Sequence, residues 1–208
     1  MKGKKVGILI GAAAVVVAVG ASVTVTQQNE YKLIRQFGKV DRVICEPGIS
    51  FKIPLIERTQ SLPKETLLYD LEASDVITKD KKTMISDSYV LWRITDPLKF
   101  AQTLNSSLEN SESRINTAVY NATKNVISSL SQDRVITSRD GELSDMVMEA
   151  IGDNMEQYGI ELIKFETKQL DLPDDNKAAV YERMISERDN IAATYKAEGD
   201  SEAKVIQN

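Results

Sequence analysis

Met84-Ile-Ser-Asp-Ser-Tyr-Val-Leu-Trp-Arg-Ile94-Thr-Asp-Pro97 decides the fold. Up to Ile94 it reads as a strand, and with Asp75-Val-Ile-Thr78 it brackets the polar run Lys79-Asp-Lys-Lys82. That makes a hairpin with a charged, solvated tip. At Asp96-Pro97 the character changes, because Asp can cap a helix and Pro suits the first helical position. A short helix is predicted from Leu98 to Leu104.

Downstream, Ile115, Val119, Ala122, Val126 and Leu130 fall at helical spacing. A second amphipathic helix carries Leu143, Val147, Ile151, Met155 and Tyr158, and Gly159 stops it. Ile160 to Leu170 returns to strand character, and Leu172-Pro173 ends it. Upstream, Tyr31–Phe37 is a strand broken by Gly38. Pro47-Gly48 turns the chain into the alternating Ile49–Ile53, and Pro54 and Pro63 punctuate the connection that follows. Strands, then helices, then a strand make an α+β domain rather than alternating βαβ units.

Before this domain, Val6 to Asn29 carries no charge, and Val6–Val25 has only Ser22 and Thr24 as polar members. Twenty helical residues span about 30 Å, the hydrocarbon thickness of a bilayer. The run is predicted to be a transmembrane helix, marked by Val6, Gly7, Gly11, Val15 and Val25. Lys2, Lys4 and Lys5 precede it, so residues 1–5 should stay in the cytoplasm and the body should lie outside it. A cleaved signal peptide fits the same pattern. Gly7-x-x-x-Gly11 would let two such helices approach closely.

The composition excludes much. Of 26 basic residues three precede residue 6, leaving 23 against 31 acids and a net charge of −8 on the body. That argues against nucleic acid, which calls for a basic face. Without histidine there is no Ser-His-Asp or Cys-His catalysis, and the commonest zinc ligand is missing. Cys45 is the one cysteine, and no P-loop or GxGxxG occurs. The carboxylates of Asp70/Glu72/Asp75 and Asp171/Asp174/Asp175 read as solvated turns and helix starts. No catalytic, cofactor-binding or metal-binding residue is expected.

From Asp174 to Asn208 there is no proline and one glycine, Gly199. A continuous helix there would reach about 50 Å. Tyr181, Met184 and Ile191 form a narrow apolar seam beside Arg183, Glu187 and Arg188. A seam too narrow for a core suits a coil, so these six residues are the candidate assembly interface.

Together these segments resemble the band-7 (SPFH) family of stomatin, prohibitin, flotillin and the bacterial HflK/HflC proteins, most closely its HflC-like branch. The residues that carry the resemblance include Arg35-Gln-Phe-Gly-Lys-Val40, Glu46-Pro-Gly-Ile-Ser-Phe-Lys-Ile-Pro-Leu-Ile-Glu57 and Thr78-Lys-Asp-Lys-Lys82. Asp87–Pro97, Tyr158-Gly-Ile160, Leu170-Asp-Leu-Pro173 and Tyr181–Arg188 complete the set. The resemblance implies an N-terminal membrane helix (6–25), a band-7 domain (26–173) and the start of a long coiled-coil-type helix (174–208). In the family that helix usually runs on well beyond the length present here. The resemblance also implies a non-enzymatic protein of the bacterial plasma membrane with a single span. Such a protein self-associates, assembles with an HflK-like subunit, and modulates the membrane protease FtsH. A stomatin- or flotillin-like scaffold that organises the lipid bilayer without a protease is the alternative.

Overall fold

In the computed structural model, residues 20–138 and 141–207 are described, apart from the side chains of 174–180, 183 and 200–207. Among the described residues, eight strands form three antiparallel sheets. Strand β1 (Val23–Thr26) pairs with β4 (Gly48–Phe51). Strand β2 (Glu30–Gln36) runs between β3 (Lys39–Ile44) and β5 (Glu57–Pro63). Strand β7 (Thr83–Ile94) runs between β6 (Leu67–Ile77) and β8 (Ile160–Asp171).

β7 is the spine of the domain. Met84, Ser86, Ser88, Val90, Trp92 and Ile94 are buried at every second position, the period-2 pattern of a strand with one covered face. The main core joins Val90, Trp92, Ile94 and Phe165 to Leu33 and Leu62 of the second sheet. It is completed by α1 (Pro97–Leu104), α2 (Leu108–Ser129) and α4 (Glu142–Ile151), through Phe100, Ile115, Val119, Val147 and Ile151. A smaller core joins Val76 and Met84 to Ile127, Leu143 and Val135 of α3 (Gln132–Thr137). After Leu172-Pro173 the chain runs as one helix, α5 (Asp174–Gln207).

The strand-to-helix switch is built as its residues suggest. Asp96 Oδ1 accepts from the N–H groups of Leu98 and Lys99, both at 3.0 Å, and Pro97 is the first helical residue. The Gly159 carbonyl accepts from the N–H groups of Thr95 (3.0 Å) and Asp96 (3.2 Å). This closes the start of β8 onto the end of β7.

Several elements differ from the sequence reading. Val25 lies in β1, not at the end of a helix, because Val23-Thr-Val-Thr26 is β-branched throughout. Residues 2, 4, 5, 6, 7, 11 and 15 lie outside the described residues, and among those described no helix is long and apolar enough to cross a membrane. The helix expected through Tyr158 stops at Ile151. Gly152 has φ 51, which an α-helix cannot contain, and Gly152–Tyr158 continues as a 3-10 turn. The span between Pro54 and Pro63 holds strand β5 rather than a connection.

Candidate functional site

Two surfaces stand out, one at the root of α5 and one at the apolar end of the two small sheets. At the first, Tyr181, Met184, Arg188 and Ile191 recur every three or four residues and so share one face of α5, with Glu187 three residues from Met184 and four from Ile191 beside them. That face borders an open groove of about 750 Å³ whose other wall is Lys82, Met84, Gln132, Asp133, Ile136, Leu170 and Leu172. The structure thus brings five of the six seam residues together, while the Arg183 side chain lies outside the description. Tyr181, Met184, Ile191 and Ile136 remain exposed. The groove offers apolar surface edged by both signs of charge.

The far wall is held by the hairpin tip between β6 and β7. Asp80 Oδ1 accepts from the Thr78 hydroxyl (2.6 Å) and from the Gln132 N–H (3.1 Å). It thereby caps α3, whose own cap residue Ser131 makes no side-chain bond. The Thr78 hydroxyl, joined by Lys82 and the Gln132 N–H, lowers the Asp80 carboxyl to about 2. The tip is the solvated turn the sequence suggests, with Lys79–Lys82 exposed, and through Asp80 it also clips the sheet to the helix. A cap supplied across 52 residues leaves no local sequence signal.

At the second surface, Val23, Val25, Phe37, Ile49, Phe51, Ile53, Leu55 and Ile56 are all exposed. Alternation in Ile49–Ile53 was legible, but the apolar members point outward. Such a patch marks an interaction surface, because folding alone gains nothing from it. Nearby, Lys32, the Gln27 N–H and Ser61 hold the Glu30 carboxyl down to about 2.

The carboxylate clusters and the cysteine lie away from both surfaces or in ordinary surface settings. Lys168 bridges Asp70 (2.5 Å) and Asp87 (2.8 Å) across the third sheet, so Asp70 is tied into an ion pair. Glu72 and Asp75 are exposed, as is Cys45. Among the described residues no group of three or more Cys, Asp or Glu is placed to hold a metal ion.

Comparison with known proteins agrees with this architecture. The SPFH domain / Band 7 family matches residues 24–201. The protein HflC of Haemophilus influenzae is 29% identical over 197 residues, covering 90% of this chain and 67% of the relative. HflC of Buchnera aphidicola from Schizaphis graminum is 27% identical over 208 residues, covering 90% and 68%. The protein named modulator of FtsH protease HflC in Escherichia coli K12 is 26% identical over 239 residues, covering 93% and 72%.

Proposed function

We propose, from the premise that this chain belongs to the SPFH domain / Band 7 family, that it is an HflC-like, membrane-anchored modulator of an FtsH-type protease. The observation that carries this is similarity across most of the chain to a relative whose name states that role. The chain acts by assembly and not by cleavage: with no histidine it has no base of the Ser-His or Cys-His kind. The uncharged run from Val6 up to the start of β1 anchors it in the bacterial plasma membrane, and Lys2, Lys4 and Lys5 keep the N-terminus cytoplasmic and the body outside.

The groove at the root of α5 supports the assembly. Half-exposed Tyr181, Met184 and Ile191 would be covered by a neighbouring subunit, either a second copy or an HflK-like partner. Glu187 and Arg188 at its edge would set which neighbour docks. Beyond the groove, α5 continues as a coil against the same neighbours. A wall of such subunits governs which membrane substrates reach the enclosed protease.

The test is degradation of a membrane-embedded substrate by an FtsH-type protease in proteoliposomes, with and without this chain. The expected result is a changed rate for the embedded substrate and an unchanged rate for a soluble one. Proteolysis by the chain alone, or no change in either rate, would overturn the proposal.

A further inference from the structure

The apolar end carries two residues in a backbone conformation that works against folding. Phe37 (φ 51) and Leu55 (φ 75) both lie in the left-handed region, where Cβ crowds the following carbonyl oxygen. Such strain persists only where its surroundings impose it, and it collects at functional positions. Neither side chain gains burial in return: Phe37 is 86% exposed and Leu55 is fully exposed. Strand register brings the two together. Gln36 is opposite both Lys39 and Glu57, so the Phe37-Gly38 turn and the Pro54–Ile56 loop leave the same end of one sheet.

The loop around Leu55 is held in shape. Glu57 Oε2, on a nearly buried side chain, accepts from the Ile53 N–H (2.8 Å) and from Arg42 Nη2 (3.3 Å). The Glu57 N–H donates to the Ile53 carbonyl at 3.0 Å, closing a ring with Leu55 on its rim. Arg42 also donates to the Phe51 carbonyl at 2.5 Å. The Lys52 N–H donates to the Ser22 carbonyl at 2.7 Å, which ties this end of the molecule to the uncharged N-terminal run.

We propose that Phe37 and Leu55 are preformed lipid-insertion tips, and that Glu57 and Arg42 are the positioning residues that hold Leu55 outward. This rests on the membrane anchoring proposed above. Lipid is the occupant because the tips adjoin the uncharged run, and because exposed Lys39 and Arg58 sit two residues after Phe37 and three after Leu55. Apolar tips with cations behind them match the acyl boundary and its anionic headgroups. The body is thereby held at a second point, which fixes its tilt on the membrane.

The test uses the full chain in phosphatidylcholine/phosphatidylglycerol vesicles, in a Cys45→Ser background. A single cysteine is introduced by Phe37→Cys, Leu55→Cys or, as a control on α2, Glu109→Cys, and carries an environment-sensitive fluorophore. Lipids bearing doxyl quenchers should quench the label at 37 and 55 and leave 109 bright. Adding Glu57→Gln should reduce quenching at 55 and leave 37 unchanged. If that variant melts early, Arg42→Gln serves the same purpose. An unquenched label at 37 or 55, in protein that resists alkaline carbonate extraction, overturns the insertion tips and leaves the anchor standing. Unchanged quenching at 55 in folded Glu57→Gln or Arg42→Gln overturns the positioning role. Release of the chain by carbonate overturns the anchoring itself, and the tips with it.

Discussion

Replacing Gly159 by alanine is a sharp test of how the domain is closed. Gly159 has φ 71, and a Cβ there would lie 2.3 Å from the Asp96 carbonyl oxygen and 3.0 Å from the Phe100 nitrogen. Both obstacles are backbone, so no side chain can swing aside. The left-handed conformation alone costs an alanine about 1–2 kcal/mol. Relieving the overlap means parting β8 from the β7–α1 junction. That weakens the bonds from the Thr95 and Asp96 N–H groups to the Gly159 carbonyl, each contributing about 0.5–1.5 kcal/mol net. The total is about 2–5 kcal/mol. For a chain of this size that lowers the melting midpoint by roughly 2–4 °C per kcal/mol, or about 10 °C. Gly38→Ala is the control, since φ is 86 but nothing lies within 4 Å of its added Cβ. It should lose only the conformational part, a few degrees. Thermal unfolding followed by circular dichroism reads both. Equal shifts for the two variants would refute the close approach at Gly159.

Acid should weaken the fold through two carboxyls. Glu30 and Asp80 lie at about 2 in the folded chain, against ordinary values of 4.5 and 3.8. Because folding lowers both, their contribution is full above about pH 4.5, shrinks as pH falls, and is gone below about pH 2. The Glu30→Gln/Asp80→Asn double variant should show a flatter fall of melting temperature over that window, and an unchanged slope would contradict it. Phe165→Ala, at a side chain with no exposure in the main core, should cost about 3–5 kcal/mol in urea unfolding. Arg188→Glu, at the edge of the α5 groove, should shrink the assembly in light scattering while the circular dichroism spectrum stays unchanged. Assembly of the original size would remove Arg188 from the interface.

What the sequence disclosed, and what it hid, divides by the range of the forces. The β7 strand and the Asp96-Pro97 helix start were legible because alternation and capping act within a few residues. The helix after Leu172-Pro173 was legible because no proline interrupts it. The break at Gly152 was missed because the apolar periodicity runs on to Tyr158 across it. Strand β5 was missed because its residues, Glu-Arg-Thr-Gln-Ser-Leu-Pro, are mostly polar; pairing with β2, not propensity, makes it a strand. The outward face of Ile49–Ile53 was hidden for a different reason. Period-2 alternation says that one face is apolar, but not whether protein covers it. Phe37 before Gly38 was a local clue, since a hairpin turn with two left-handed residues tolerates phenylalanine poorly.

The most direct test of the central claim is cross-linking in native membranes, with identification of every protein captured on this chain. The account predicts an FtsH-type protease together with an HflK-like subunit. Recovery of neither, in membranes where copies of the chain cross-link to one another, would contradict it.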